Sequence, residues 1–158
     1  MDHTHLAAEL FINGCNCSQA LVVAFRDVTG LDRDFSARMA SSFGGGMGRM
    51  REVCGAVSGM LMVAGLLYGY ADPGENDCRK KAHYKLVQDL SAAFRAETGS
   101  IVCREILKNP PSDPNPTPRT AEYYKVRPCA RMVMLAAKIL DDYIAAHPLE
   151  VDNEGSDL

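Results

Sequence analysis

Apolar residues recur along this chain at three- and four-residue spacings, and no stretch alternates with period two; the pattern predicts an all-helical (all-α) protein. His5 to Ile12 reads as a first short helix. A second runs from about Cys17 to Val28, with Leu21, Ala24, Phe25 and Val28 at helical spacing and Thr29-Gly30 as its stop. A third covers about Asp34 to Ser42, with Phe35 and Met39 turned inward. Four glycines in the five positions from Gly44 to Gly48 then interrupt the pattern; they permit positive φ and close backbone approach.

A fourth helix is expected from Cys54 to Tyr70 and a break at Pro73-Gly74. A fifth spans about Asn76 to Glu97, with Leu86, Val87, Leu90 and Phe94 on one face, and a short one covers Ile101 to Leu107. The stretch from Asn109 to Pro118 holds five of the eight prolines and reads as an extended surface loop. The last helix runs from Pro128 to about Ala146. Together these elements predict a single-domain bundle of about six to seven helices over residues 1–148, followed by an acidic, disordered tail over 149–158.

The 158 residues suit one domain, and 47% apolar content supplies its core. A net charge of −3, with Arg79-Lys80-Lys81 as the largest basic cluster, argues against nucleic acid as a partner. The apolar stretch from Ala56 to Ala71 is too short and glycine-rich for a membrane span, so no membrane association is expected. The polar start Met1-Asp2-His3-Thr4-His5 is unlike a secretory signal, which points to the cytoplasm. In that reducing compartment, six cysteines suit metal or redox chemistry better than structural disulfides.

Four of the six, Cys17, Cys54, Cys103 and Cys129, each fall at the start of an expected helix. The partial positive charge and free N–H groups of a helix N-terminus favour thiolate over thiol. Cys17 lies in line with Leu21, Ala24 and Phe25, and Cys129 with Met132, Val133, Ala136 and Leu140, so both are expected on the core side. Their separations of 37, 49 and 26 residues match no compact zinc signature. Cys15 reads as incidental to a turn and Cys78 as an exposed thiol. Gly55 and Gly59 are expected to leave room for a bound group beside Cys54, whereas Gly65 and Gly69 serve packing. The glycine loop lacks the Lys-Ser/Thr of a phosphate-binding P-loop, although Arg49 and Arg51 favour an anion or thiolate nearby.

This ordered set resembles the redox-active protein family C-GCAxxG-C-C. The pattern here reads Cys17, then Cys54-Gly55-Ala56-Val57-Ser58-Gly59, then Cys103, then Cys129, and the glycine run ending in Arg49 also fits. The resemblance extends over roughly residues 5 to 145. It implies redox activity without an agreed substrate; a similar domain in split-Soret cytochromes has an iron–sulfur centre beside haem. The chain has no C-x-x-C-H, so c-type haem is not expected.

Three readings stand at this point. The four cysteines ligate an iron–sulfur cluster or, less readily, zinc, for electron transfer or sensing with an unknown redox partner protein. Alternatively, two of them cycle as a thiol–disulfide oxidoreductase, or the chain is a non-catalytic helical binding module. His83 is a substitute ligand or, more commonly for such a position, an exposed histidine; His3 and His5 are expected to be solvated, and His147 to close the last helix. Met47, Met50, Met60 and Met62, with the glycine-rich helix, suggest a homodimer surface. No Ser-His-Asp or paired-carboxylate arrangement points to a hydrolase.

Overall fold

The computed structural model describes residues 2–72 and 77–149, and within them the chain is helical, as the periodicity predicts. The helices are α1 (His3–Ile12), α2 (Cys17–Ala24), α3 (Arg26–Thr29), α4 (Arg33–Ala40), α5 (Gly55–Tyr68), α6 (Asp77–Thr98), α7 (Cys103–Ile106), α8 (Ala121–Val126) and α9 (Cys129–Ala146). The expected break at Pro73-Gly74, the expected start of the fifth helix at Asn76 and the acidic tail from Glu150 lie outside the described residues.

Local chemistry sets the helix starts. Asp2 caps α1 by accepting from the His5 backbone N–H at 3.1 Å. Asn16 and Gln19 form a reciprocal capping box at α2: the Asn16 side chain accepts from the Gln19 N–H at 2.9 Å, and the Gln19 side chain accepts from the Asn16 N–H at 3.0 Å. Asp32 caps α4 through two backbone N–H groups. The expected second helix is in fact two, because the backbone turns at Phe25 before α3; Gly30, at φ 69°, stops α3 as its Thr29-Gly30 signal implies.

The core lies where α2 packs on α5 and α1 packs on α9, with α6 closing one side. Leu21, Phe25, Val57, Met60, Val63, Phe94, Val133 and Leu140 are fully buried there. Two side chains fall opposite to their expected places. Phe35 is 57% exposed, because the buried face of α4 is formed by Ser36 and Ala40, which are small enough for close approach. His3 is only 5% exposed and not solvated: Nδ1 lies 2.6 Å from the Asp141 carboxylate, Nε2 lies 2.9 Å from Asp27, and the ring stacks on Phe25 at 4.1 Å. It ties α1 to both α3 and α9. His5 is exposed, as expected.

His83 is half-buried, not an exposed helical histidine. It packs edge-on against Tyr70 and over the bare face of Gly65. Of the four methionines considered for a dimer surface, Met60 is fully buried and Met62 packs on the core, which leaves Met47 and Met50 exposed. No helix among the described residues is long and apolar enough to cross a membrane.

Candidate functional site: a cavity lined by four thiols

Cys17, Cys54, Cys103 and Cys129 all line one cavity of about 310 Å³. They arrive from four segments spread over 112 positions, yet each enters from the end of a helix: Cys17, Cys103 and Cys129 are the first residues of α2, α7 and α9, and Cys54 is the residue before α5. A short antiparallel pairing sets Cys54 and Cys103 side by side. Val53 bridges Val102, the Cys54 N–H donates to the Ile101 carbonyl at 2.7 Å, and the Cys103 N–H donates to the Glu52 carbonyl at 2.6 Å. Cys78 is exposed on α6, and neither it, Cys15 nor His83 lines the cavity.

The glycine loop makes the approach of these sulfurs sterically possible. Gly45 and Gly46 are left-handed, at φ 66° and 69°, so residues 44–47 coil back rather than continue a helix. A Cβ on Gly46 would stand 2.7 Å from the Cys103 Cβ and 2.8 Å from the Glu52 backbone nitrogen. On Gly55 it would stand 2.5 Å from the Cys17 sulfur and 2.8 Å from the Phe43 carbonyl oxygen, so the bare face of Gly55 is the place the Cys17 sulfur occupies. Gly59 is placed differently from its expected role. The space beside it is filled by α2, through the Leu21 Cβ and the Ser18 carbonyl, and it serves helix packing rather than lining the cavity. Met47, Arg49 and Arg51 also have positive φ although none is glycine. Such strain gathers at functional sites, where the surrounding structure must hold it in place.

Arg49 and Arg51 project from this loop to the proline-rich strap over residues 110–118. Arg51 Nε donates to the Pro111 carbonyl at 2.9 Å; Arg49 Nε donates to the Asp113 carbonyl at 2.7 Å, and its Nη1 to the Thr117 hydroxyl at 2.9 Å. The strap thereby becomes a wall of the cavity, to which Pro114, Pro116 and Thr117 contribute. The chain then enters α8, a helix that the sequence pattern does not predict. Thr120 caps it by accepting from the Tyr123 N–H at 3.2 Å. Tyr123 lines the cavity between Arg119 and Arg127, whose guanidinium carbons lie 5.0 and 5.4 Å from its ring centre. The Thr120 cap signal was present in the sequence, but six residues beside a proline-rich loop carry little periodicity.

The electrostatics correct one expectation. The helix starts do favour thiolates in sign: backbone N–H groups of Ala56 and Val57 lower the Cys54 value, and those of Gly45, Cys17 and Ser18 lower that of Cys17. Burial outweighs them. It pushes all three of Cys17, Cys54 and Cys129 upward, Cys129 to about 12, and the neighbouring thiols add to the rise. Burial thus favours the protonated form of Cys17, Cys54 and Cys129, against the activated thiolates that helix position alone suggested.

A raised folded-state value means that the contribution to stability is fully present below the unfolded thiol value and is lost as pH climbs through the folded one. The metal-free, reduced chain is therefore expected to lose stability between pH about 9 and about 12. Cys129→Ala should flatten that loss. Urea midpoints for both chains across this window test it, and equal slopes would remove Cys129 as a source.

A family model described as "Putative redox-active protein (C_GCAxxG_C_C)" matches residues 15–143. The chain belongs to this family. Where the printed C_GCAxxG_C_C pattern has Gly-Cys-Ala, this member reads Cys54-Gly55-Ala56. The match takes in all four cavity cysteines and leaves out α1 with His3, though not that residue's partners Phe25, Asp27 and Asp141. No curated protein and no solved structure matches the chain.

Proposed function

We propose that this C_GCAxxG_C_C protein is an electron-transfer or sensing protein whose Cys17, Cys54, Cys103 and Cys129 hold an iron–sulfur cluster. The observation that carries the reading is the gathering of four thiols, and no carboxylate, on the wall of one cavity. Four cysteine sulfurs are the ligand set such clusters require. When bound, a cluster would supply one-electron transfer; the chain's own part is to hold the sulfurs, limit water and balance charge.

Among the described residues, no group of three or more His, Cys, Asp or Glu is gathered closely enough to hold a metal ion, so the reading is supported by the shared cavity and not by a formed coordination sphere. A zinc ion draws its sulfurs to about 2.3 Å from one centre, whereas a cluster spreads its ligands around several irons and sulfides. The raised thiol values also work against disulfide exchange, which needs free thiolate near neutral pH. Metal ligation does not share this obstacle, because the metal itself displaces the proton.

Protein purified without air should contain iron and acid-labile sulfide and absorb above about 400 nm. Cys54→Ser should lose both, and Cys78→Ser should keep them. A chain that takes up neither element, as isolated or after anaerobic reconstitution with iron and sulfide, sinks the proposal.

A further inference from the structure

The chain as a whole is acidic, yet the thiol cavity is cationic. Arg49, Arg51, Arg119 and Arg127 line it, and no Asp or Glu does. Arg49 has a loose carboxylate partner, Asp113 at 3.7 Å. Among the described residues the other three have none. Arg119 is spent on the carbonyls of Phe11 and Cys15, the Tyr124 hydroxyl and three aromatic rings, and among the described residues the Arg127 side chain makes a cation–π contact with Tyr123 but no hydrogen bond or ion pair.

Arg51 is the most deeply buried of the four, and beyond its Nε bond to the Pro111 carbonyl it is poorly partnered. It is 4% exposed, its Nη1 reaches only the Cys103 sulfur at 3.8 Å, and its Nη2 has no partner. A guanidinium cannot shed its proton to relieve burial. A buried charge without a counter-charge is costly, so it marks a place where a counter-charge belongs. No carboxylate lines the cavity to supply it. An oxidised cluster with four thiolates would carry two negative charges, which leaves guanidinium charge over.

We infer that the cavity is also a binding site for a compact oxyanion of the sulfate or phosphate type, held by the paired nitrogens of Arg51 beside Cys103, with Arg119 and Arg127, which line the same cavity, adding charge. A guanidinium fork matches two oxygens of such an anion, and the apolar walls strengthen the attraction by excluding water. This goes beyond the cluster reading, since it places a diffusible ligand against the redox-active sulfurs.

The probe is sodium sulfate, which does not react with thiols, titrated calorimetrically into the protein as isolated, with chloride keeping ionic strength constant. Saturable binding of one sulfate per chain is expected, with Kd below about 1 mM. Arg51→Gln should weaken it about tenfold or more, Arg51→Lys less, and Lys81→Gln, on the exposed face of α6, not at all. Should Arg51→Gln fail to fold, Arg127→Gln should still weaken binding several-fold, because its side chain makes one aromatic contact and no hydrogen bond to lose. Absence of saturation, or equal weakening by Lys81→Gln, overturns the site. Iron measured on the same preparation separates the two proposals: iron without sulfate saturation defeats the oxyanion site alone, and saturation in a chain that takes up no iron defeats the cluster alone.

Discussion

Gly46→Ala is expected to dismantle the cavity and cost about 2–5 kcal/mol of stability. Two separate effects add. The residue sits at φ 69° and ψ 62°, a left-handed conformation that costs an L-residue with a Cβ about 1–2 kcal/mol. The new methyl group would also press on the Cys103 Cβ at 2.7 Å, on the Glu52 nitrogen at 2.8 Å and on the Arg51 carbonyl carbon at 3.0 Å. Two of these neighbours are backbone atoms that cannot swing aside, and overpacking of this kind costs about 1–3 kcal/mol. Any relief moves Cys103 and Arg51, so loss of iron uptake should accompany the loss of stability. Denaturant midpoints and iron content of the variant provide the check; a stability within about 0.5 kcal/mol of the parent chain would show that the loop is not under this constraint.

His3→Ala should destabilise the fold by about 3 kcal/mol without touching the thiols. The imidazole faces a carboxylate at each nitrogen and lies flat on Phe25. Its removal leaves Asp27 and Asp141 without their shared partner and opens a gap under α1. Both carboxylates are about a third exposed, so partial hydration limits the cost of leaving them without their hydrogen-bond partner. His3→Phe keeps the stack and loses the hydrogen bonds, and it should fall between the alanine variant and the parent. Urea unfolding of the three chains decides it. Equal stability of the alanine variant and the parent would reduce His3 to a surface residue, as its place near the chain start first suggested.

Much of the fold was legible because the long helices carry their own period. Leu86, Leu90 and Phe94 repeat on one face of α6, and Met132, Val133, Ala136 and Leu140 on one face of α9; all are buried as that spacing implies. The four cysteines were legible as a set because each stands at a helix start, a local property. What those starts do to the thiols was not legible. It depends on how deeply the sulfurs are buried, and burial is decided by segments a hundred positions away. Phe35 misled for a similar reason: a short amphipathic helix has two plausible inward faces, and packing chose the one with Ser36 and Ala40. Nothing in the sequence separates Arg51 from Arg49, or His3 from His5. Each pair shares type and neighbourhood, and only the tertiary fold buries one member more deeply than the other.

The antiparallel pairing of residues 52–54 with 101–103 joins two of the sulfur-bearing segments through main-chain hydrogen bonds. Main-chain links have no rotamers to absorb a displacement. Cys54 and Cys103 are thus yoked: each donates its backbone N–H to a carbonyl two residues before the other cysteine, so the main chain couples their positions. Cys17 and Cys129 have no such tie to that pair. The cavity therefore has two sulfurs fixed by main-chain pairing and two, Cys17 and Cys129, whose positions are set by the side-chain packing of α2 and α9 in the core.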